Sequence, residues 1–269
     1  MVSNINFIGD VVIEKKVVLL NALRKKIKEK KSSTGSWLQL ADASVAEIMA
    51  NSGYDWLAID LEHGIINAES LVNLCRAIEL HGTLPLVRLS GGSRAECKQA
   101  LEAGAAGVIL PMVKSCQDVE SVLDNCRWPP LGTRGVGFSR SNMFGKYFNE
   151  SKYIAANPFF VPMIENVEAV DDLDNICSTD GVDALFVGPY DLSASLGCLG
   201  DFESDIFKNV MEQILKKGIE YNVPVGMHVV DPNPTKLQNL VNEGFRFNAF
   251  SIDSVFLLEA SRRPIIVEN

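Results

Sequence analysis

Residues 54–64 (YDWLAIDLEHG) place three ionisable side chains directly after an apolar run. The run, residues 56–59, has the length of a β-strand and is typical of a strand covered on both faces. Asp60, Glu62 and His63 follow where that strand should end. In α/β folds, the carboxyl ends of parallel strands bind ligands and carry out chemistry. The pattern therefore favours an acid–base site about as much as a turn whose side chains cap the next helix.

Three further apolar runs end in polar residues. Arg88 lies near the end of residues 85–89, Glu165 ends residues 160–165, and Asp191 follows a run that ends at residue 188. If these runs are strands of one barrel, their polar ends meet in one cavity. Glu165 and Asp191 would then lie on neighbouring strands. Two such carboxylates suit Mg²⁺ or Mn²⁺, with water or substrate completing the set of ligands.

A divalent cation, an arginine and a histidine together are suited to chemistry through an enolate. The cation would polarise a carbonyl group, and Arg88 offers a planar, permanently charged fork for a carboxylate or an enolate. His63 is the natural proton-transfer group, because imidazole changes its charge near neutral pH. A 2-oxo acid such as pyruvate could chelate the cation through its keto and carboxylate oxygens. These residues therefore predict aldol cleavage and its reverse.

Lysine and cysteine nucleophiles are the alternatives. A Schiff-base aldolase needs a lysine in the cavity, and Lys114 is the one candidate, although Ser115, Gln117 and Asp118 leave no apolar run to desolvate its amine. The six cysteines are scattered singly, with no CxxC pair and no Cys–His spacing of a zinc site. We expect them to be small buried residues in a reducing compartment, and only Cys198 lies beside another motif.

The composition excludes several classes of partner. The chain has 269 residues, of which 47% are hydrophobic and 22% charged, as in ordinary globular proteins. A net charge of −9 argues against a nucleic-acid surface, which needs a basic face. No segment approaches the roughly 20 apolar residues that span a bilayer, and the polar start lacks a cleavage signal. We therefore expect a soluble, cytoplasmic protein with no membrane or nucleic-acid partner.

Strand-like and helical patterns alternate along most of the chain. Residues 14–31 predict an amphipathic helix with a basic face, within an N-terminal extension at residues 1–34. A helix across one end of a barrel is the favoured interpretation, ahead of a membrane-surface role. Strands are predicted at residues 36–41, 55–60, 85–89, 107–112, 160–165, 184–188, 223–229 and 248–253, with helical patterns between nearly all of them.

Eight strands in alternation with helices predict a single-domain (β/α)8 TIM barrel over residues 35–269. A doubly wound open sheet is the alternative fold. The sequence contains neither GxGxxG nor GxxxxGK[ST], so the usual phosphate-binding signatures of that fold are absent. The barrel is therefore the favoured fold.

The connection at residues 126–151 is too long for a simple scaffold loop and is rich in Gly, Pro, Ser and Arg. Long loops in compact domains often bind ligands or act as lids. We expect this connection to cover the catalytic mouth, with Arg134 and Arg140 as anion contacts. The alternative is a surface excursion with solvated arginines.

An ordered set of motifs gives a more specific indication. GSWLQLADASVAEIMANSGYDWLAIDLEHG is followed by PLVRL, ILPMV, PPLGTRGVG, MIE and FVGPYDLSASLG. Together they resemble the metal-dependent class II pyruvate aldolases of the HpcH/HpaI family, from about residue 35 to residue 253. The resemblance implies a (β/α)8 barrel that assembles as trimers or hexamers, with active sites close to subunit interfaces. The implied reaction is retro-aldol cleavage of 4-hydroxy-2-oxo acids to pyruvate, or a close analogue, and an aldehyde.

The resemblance also implies roles for residues of this chain. Glu165 and Asp191 would bind the divalent cation, which could be Mg²⁺, Mn²⁺ or Co²⁺. His63 would act on the 4-hydroxyl group through water, Arg88 would stabilise the pyruvate enolate, and Asp60 would orient these groups.

The same resemblance implies a substrate-binding set. The backbone of residues 188–191 would bind the pyruvate carboxylate, and Trp37 would lie near the mouth; the set is Trp37, Gly188, Pro189, Tyr190 and Asp191. Two positions depart from the family pattern. Met163 replaces a glutamine two residues before the metal-binding glutamate, and Glu102 occupies the position of a further carboxylate, often an aspartate, that we include among the catalytic candidates.

Two alternative functions stand beside the aldolase. One is a related carbon–carbon lyase of the pyruvate-binding barrels, such as a CoA-ester lyase, although no segment suits a CoA molecule. The other is a barrel that binds a 2-oxo acid without turning it over. Met163 favours this second alternative, whereas the set of His63, Arg88, Glu165 and Asp191 favours the aldolase.

Overall fold

Eight parallel strands close into one barrel in chain order, and the last strand pairs with the first. The computed structural model describes residues 8–264, with side chains from Ile13 onward. Residues 1–7 of the predicted extension and residues 265–269 of the predicted barrel domain lie outside the described residues. The strands are β1 Ser33–Leu38, β2 Trp56–Asp60, β3 Leu84–Arg88, β4 Gly107–Leu110, β5 Phe159–Ile164, β6 Leu185–Val187, β7 Val225–Val229 and β8 Phe247–Ile252.

Helices surround the barrel and connect its strands, which confirms the predicted (β/α)8 fold and excludes the open sheet. They are α1 Ile8–Lys28, α2 Ala43–Ala50, α3 Ala68–Leu80, α4 Arg94–Ala103, α5 Cys116–Cys126, α6 Phe148–Ala156, α7 Val167–Asp171, α8 Leu173–Ser178, α9 Pro189–Ser195, α10 Asp205–Glu220, α11 Pro234–Glu243 and α12 Asp253–Ala260. In the part of the chain that the structure describes, no helix has the length and apolar character needed to cross a membrane.

The predicted strands differ from the observed ones mainly at their ends. Strand β1 begins at Ser33, before the predicted start at residue 36, because it pairs with β8 from Ser33 onward. Strand β4 ends at Leu110 rather than residue 112, because the backbone of Met112 has a left-handed φ of 55° that a strand does not accommodate.

Large aromatic side chains fill the barrel interior. The ring of Trp56 stacks on the Phe247 ring with centroids 4.4 Å apart, and the Phe159 ring packs against Phe247 at 5.4 Å. Gly35 makes this packing possible, since a Cβ atom there would lie 2.1 Å from the Trp56 ring. The interior is therefore a packed core and not a pore.

Helix α1 lies across the amino ends of the strands. Leu20, Leu23 and Ile27 are almost completely buried and belong to the same apolar cluster as Trp56. On the same helix, Arg24 donates two hydrogen bonds to Asp183, at 2.7 and 2.9 Å. The amphipathic pattern of residues 14–31 thus reflects a helix that buries its apolar face against the barrel.

The long connection does not reach the catalytic mouth of its own barrel, so that prediction is wrong. It joins helix α5 to strand β5, and helix-to-strand connections lie at the amino ends of the strands. Arg134 is buried, 3% exposed, and stacks over Trp128 at 5.5 Å. Arg140 pairs with Glu79 near the end of α3 and donates to the Ala103 carbonyl. Both arginines therefore hold this connection in place; Arg134 is buried and Arg140 is mostly buried, at 14% side-chain exposure.

Candidate active site

A cavity of about 520 Å³ lies at the carboxyl ends of the strands. Its wall comes from β1, β2, β3, β5, β6, β7 and β8, from the segments that follow β1, β2, β5, β6 and β7, and from helices α10 and α11. The structure brings nearly all the predicted catalytic, metal-binding and substrate-binding residues to this wall: Trp37, Asp60, His63, Arg88, Glu165 and residues 188–191. Side chains that were separated by more than 150 positions in the sequence therefore meet in one place.

Asp60, the last residue of β2, is fully buried and acts as an acceptor for its neighbours. Arg88 donates to both of its carboxylate oxygens, at 2.8 and 2.6 Å, and the Gln39 amide donates at 3.0 Å. The backbone N–H groups of Glu62 and His63 complete the set at 3.0 and 3.3 Å. Burial alone would raise the pKa of Asp60, but the hydrogen bonds and charge of Arg88 outweigh it and lower that pKa below its usual value.

Arg88 is held in one orientation by several contacts. Its guanidinium lies over the Trp37 ring at 4.5 Å, and its Nη1 atom is 3.1 Å from Glu62. These contacts, with the two bonds to Asp60, fix a cationic fork in the cavity wall. A guanidinium fixed in this way can stabilise negative charge on a substrate oxygen with little reorganisation.

Glu165 follows β5 and is the most deeply buried carboxylate of the cavity wall after Asp60, at 3% exposure. Burial raises the pKa of Glu165 to about 7; the Met112 N–H bond opposes this, and the charges of Glu62 and Asp191 add to it. Gly188 makes room for the side chain, because a Cβ atom there would lie 2.4 Å from Glu165 Oε2. The chain has thus placed a buried carboxylate among other carboxylates.

This arrangement fits a divalent cation. A cation between Glu165 and Asp191 would offset the burial and mutual repulsion that disfavour ionised Glu165, and oxygen ligands suit Mg²⁺ and Mn²⁺. Within residues 8–264, no three His, Cys, Asp or Glu side chains converge as a complete set of metal ligands. The protein therefore offers a pair of carboxylates, and water and substrate would supply the remaining ligands.

His63 lies at the rim of the cavity. Its side chain is 59% exposed, and its Nε2 atom is 4.0 Å from Glu62 Oε2. The hydrogen bond from its backbone N–H to Asp60 fixes where the turn after β2 places the imidazole. An imidazole open to both cavity and solvent can exchange protons with a substrate or with water.

Helix α9 begins at the opposite side of the cavity. Gly188 is its N-cap residue and Pro189 its first residue, which suits a position without an N–H donor. The N–H groups of Tyr190 and Asp191 lie in the first turn, where a helix offers them no partner. Backbone donors and the Asp191 carboxylate are therefore presented side by side.

Some predicted residues lie elsewhere. Glu102 is on α4, close enough to Arg134 for their charges to interact, and it does not line the cavity of its own chain. Lys114 pairs with Glu168 at 3.1 Å and does not line the cavity either. Five of the six cysteines are buried, and Cys198 is half-buried outside the cavity wall. A Schiff base on Lys114 or a cysteine nucleophile therefore has no support in this geometry.

Sequence reasoning missed His228, which lines the cavity from β7. Its Nε2 atom is 3.0 Å from the Ser251 carbonyl oxygen, and its ring is 5.7 Å from the Trp37 ring. Burial lowers the pKa of His228 to about 4, opposed by the bond to Ser251 and assisted by the charge of Arg88. The signal was present, since this histidine lies near the end of a predicted strand at residues 223–229.

Fold and site together define a (β/α)8 barrel enzyme whose cavity joins paired carboxylates to a fixed arginine and an exposed histidine. The model of the HpcH/HpaI aldolase/citrate lyase family matches residues 33–260. The chain belongs to this family.

Several characterised relatives and solved structures are similar to this chain. A hydroxypyruvate/pyruvate aldolase of Roseobacter denitrificans is 33% identical over 90% of this chain and 95% of its own. A 4-hydroxy-2-oxovalerate aldolase of Novosphingobium aromaticivorans is 34% identical over 87% and 89%. The crystal structure of an HpcH/HpaI aldolase/citrate lyase family protein from Burkholderia cenocepacia superimposes with a TM-score of 0.83, at 32% identity and with 90% and 96% coverage.

Proposed function

We propose that this protein is a class II aldolase that cleaves a 4-hydroxy-2-oxo acid to pyruvate, or a close 2-oxo acid, and an aldehyde. The observation that carries the proposal is the convergence of Glu165 and Asp191 with the Asp60–Arg88 pair in one cavity. Relatives named as aldolases for hydroxypyruvate or pyruvate and for 4-hydroxy-2-oxovalerate support the same reaction class.

Glu165 and Asp191 would hold the divalent cation, which we propose to be Mg²⁺ or Mn²⁺, with Co²⁺ as a further possibility. When bound, such a cation supplies Lewis-acid polarisation of the 2-oxo group. The donors that the chain itself adds are the N–H groups of the first turn of α9, which would bind the carboxylate of the 2-oxo acid.

Arg88 would stabilise the negative charge that develops on the 2-oxo oxygen as the carbon–carbon bond breaks. Asp60 keeps Arg88 in position and is itself held ionised by the same pairing. His63 would remove the proton of the 4-hydroxyl group, directly or through water, so that the aldehyde can leave. Trp37 would support this arrangement by packing under the guanidinium.

A barrel that binds a 2-oxo acid without turnover is the second candidate, and Met163 is the observation that favours it. Met163 lies in the cavity wall at 3% exposure, where its thioether donates no hydrogen bond to a substrate. A site without this donor would bind the acid with fewer directional contacts. The exposed imidazole of His63 argues for turnover, since binding alone does not need a proton-transfer group.

The experiment is pyruvate release from a panel of 4-hydroxy-2-oxo acids, coupled to lactate dehydrogenase. Each reaction is run untreated, with EDTA, and with Mg²⁺ or Mn²⁺ restored after EDTA. Release that stops with EDTA and returns with either cation is the expected result. Pyruvate binding without release from any substrate would favour the binding barrel, and release that persists in EDTA would exclude the class II mechanism.

We also propose that the protein acts in the cytoplasm as a homo-oligomer, a trimer or a hexamer. Consecutive exposed apolar side chains on α12 support assembly: Leu257 is 58% exposed and Leu258 is 66% exposed. Contiguous apolar patches often mark protein interfaces. Light scattering after size exclusion would give the mass, and a mass of one chain would contradict this part of the proposal.

A further inference from the structure

The structure fixes the protonation of one ring nitrogen of His228, Nε2. Its Nε2 atom lies 3.0 Å from the Ser251 carbonyl oxygen. A carbonyl oxygen accepts and cannot donate, so Nε2 must carry the hydrogen of this bond. In the neutral ring the other nitrogen, Nδ1, then has a lone pair and acts only as an acceptor.

Strand β8 is shaped to hold this bond. Its pairing with β1 shifts register between Gly35 and Trp37, which is a β-bulge, and Ser251 in the bulge has a left-handed φ of 56°. This conformation is costly for a residue other than glycine and persists only where its surroundings hold it. The Ser251 hydroxyl donates to the Val230 carbonyl at 2.9 Å, and the Ser36 hydroxyl donates to the Ser251 carbonyl at 3.1 Å. The bulge thus aims a carbonyl at His228 and fixes the tautomer of the ring.

Nδ1 is the hydrogen-bonding atom of His228 that remains available. Across residues 13–264, whose side chains are described, no protein group bonds to it, and it is not among the fully buried unsatisfied atoms. The ring itself lines the cavity beside Trp37. The same cavity wall carries the apolar side chains of Met163, Phe186 and Met227, and the charges of Arg88 and Asp60 act on the His228 ring. His228 therefore presents an unpartnered acceptor to the substrate cavity.

An acceptor recognises a donor, and this restricts the ligand. The keto and carboxylate oxygens of a 2-oxo acid are themselves acceptors, so they cannot pair with Nδ1. Arg88 and the backbone N–H groups of α9 are the donors suited to those oxygens. The remaining polar group of an aldol substrate that donates a hydrogen bond is a hydroxyl group.

We propose that His228 Nδ1 accepts a hydrogen bond from a substrate hydroxyl group beyond the one that the aldol reaction itself forms. This inference rests on the proposed aldolase function. The hydroxyl group belongs either to the 2-oxo acid, as in hydroxypyruvate, or to the aldehyde, as in glycolaldehyde. His228 is a specificity-determining residue, and the enzyme prefers reactants that carry this group.

The test pairs each hydroxylated reactant with its deoxy analogue in the aldol direction, with Mg²⁺ or Mn²⁺ supplied. Hydroxypyruvate is compared with pyruvate, and glycolaldehyde with acetaldehyde, for the wild type, His228→Leu and His228→Gln. Leucine removes both ring nitrogens and leaves the Ser251 carbonyl its bond from Ser36. Glutamine retains a donor for Ser251 and an acceptor for the cavity. His81→Leu, at a histidine outside the cavity, is the matched control.

For each pair, the quantity compared is the kcat/KM of the hydroxylated reactant divided by the kcat/KM of its deoxy analogue. We expect His228→Leu to lower one of these two ratios by roughly tenfold, the scale of one lost hydrogen bond. His228→Gln should recover part of that loss. The ratio that falls identifies which reactant carries the hydroxyl group. Ratios that stay unchanged for both pairs would overturn the proposal. If kcat/KM itself falls equally for every reactant, Nδ1 contacts the hydroxyl group formed in the reaction.

A binding measurement separates this inference from the proposed function. Calorimetric titration with hydroxypyruvate and with pyruvate, in the absence of aldehyde, reports recognition without turnover. If the wild type forms no aldol product with any pair, the aldolase proposal fails. The inference then stands only if His228→Leu weakens hydroxypyruvate binding more than pyruvate binding, and it fails if the two change equally.

Discussion

Arg88 and Asp60 meet in a two-point ion pair between neighbouring strands, with bonds of 2.8 and 2.6 Å. The two residues are register partners in β3 and β2, so strand pairing alone brings their backbones together. Asp60 is fully buried and Arg88 is 12% exposed at its side chain. The pair therefore converts the regular geometry of the barrel into a fixed orientation of one guanidinium in the cavity.

Asp60→Asn tests whether this orientation matters for turnover. The amide would present N–H groups to a guanidinium that can only donate, so Arg88 would lose one of its two bonds and shift. We expect kcat/KM to fall about 10²-fold, the scale of a small misplacement of a catalytic group, while cation binding remains. Asp42→Asn is the control, because asparagine replaces the N-cap aspartate of α2 well. Equal activity of the two variants would show that Arg88 needs no such support.

Gly188→Ala tests the space left for the Glu165 carboxylate. The added Cβ would lie 2.4 Å from Glu165 Oε2, so this carboxylate must move away from the cation site that we propose it forms with Asp191. We expect Mn²⁺ affinity, measured by titration calorimetry, to fall at least tenfold. Gly91→Ala is the control, since its Cβ would meet its nearest neighbour at an ordinary 3.9 Å. Unchanged Mn²⁺ affinity in Gly188→Ala would remove Glu165 from the cation site.

His63→Ala tests proton transfer separately from cation binding. The side chain is exposed at the rim and is not one of the proposed cation ligands, so the variant should fold and bind Mn²⁺ as the wild type does. We expect the aldol rate to fall by about 10²-fold or more, the usual contribution of an acid–base group. His81→Ala should retain full activity. A rate within twofold of the wild type in His63→Ala would assign the proton transfer to another group.

The barrel and most of its site followed from the sequence because local patterns reported them directly. Buried parallel strands are continuous apolar runs, and the polar residues that end them must lie at one end of a barrel. Asp60, Arg88 and Glu165 could be placed together on this basis alone, before any contact was known.

Other features depend on contacts that no local pattern encodes. The arginines of residues 126–151 resemble those of a binding loop, but an α-to-β connection lies at the other end of the barrel, where Arg140 meets Glu79. His228 lies near the end of a predicted strand, which made it a candidate, but it was missed because the strand pattern does not show which side chains face the cavity. Its fixed tautomer depends on a bulge at Ser251, which comes from the pairing of β8 with β1.

The stability of the protein should respond to pH through His228. Burial lowers its pKa to about 4 from the ordinary 6.5, so the unfolded chain takes up a proton before the folded chain as the pH falls. The stability associated with the neutral ring is therefore complete above pH 6.5 and is lost progressively toward pH 4. Between pH 7 and pH 5 we expect the wild type to lose about 1 to 2 kcal/mol more than His228→Gln, which cannot titrate. Urea unfolding at the two pH values measures this difference, and parallel losses would show that the ring does not titrate in this range.

Arg24 should anchor helix α1 to the barrel. It donates two bonds to Asp183 and a third to the Asn157 carbonyl at 3.0 Å, and the two side chains are only 16% and 10% exposed. Arg24→Met leaves the Asp183 carboxylate buried without its cation, which should lower the free energy of unfolding by about 3 kcal/mol. Lys25→Met on the same helix removes an exposed ion-pair partner that lies 3.7 Å from Glu29. This variant should change the free energy of unfolding by less than about 0.5 kcal/mol.

The double variant Arg24→Met with Asp183→Asn identifies the cause of that loss. If the cost comes from a buried unpaired charge, removing the charge should recover part of the lost stability, although each substitution alone is destabilising. Urea unfolding of the four proteins at pH 7 gives the coupling energy directly. Additive losses would instead mean that Arg24 acts through its carbonyl contacts at residues 157 and 158. In either case kcat/KM of the folded protein should stay unchanged, because this pair lies at the end of the barrel opposite the cavity.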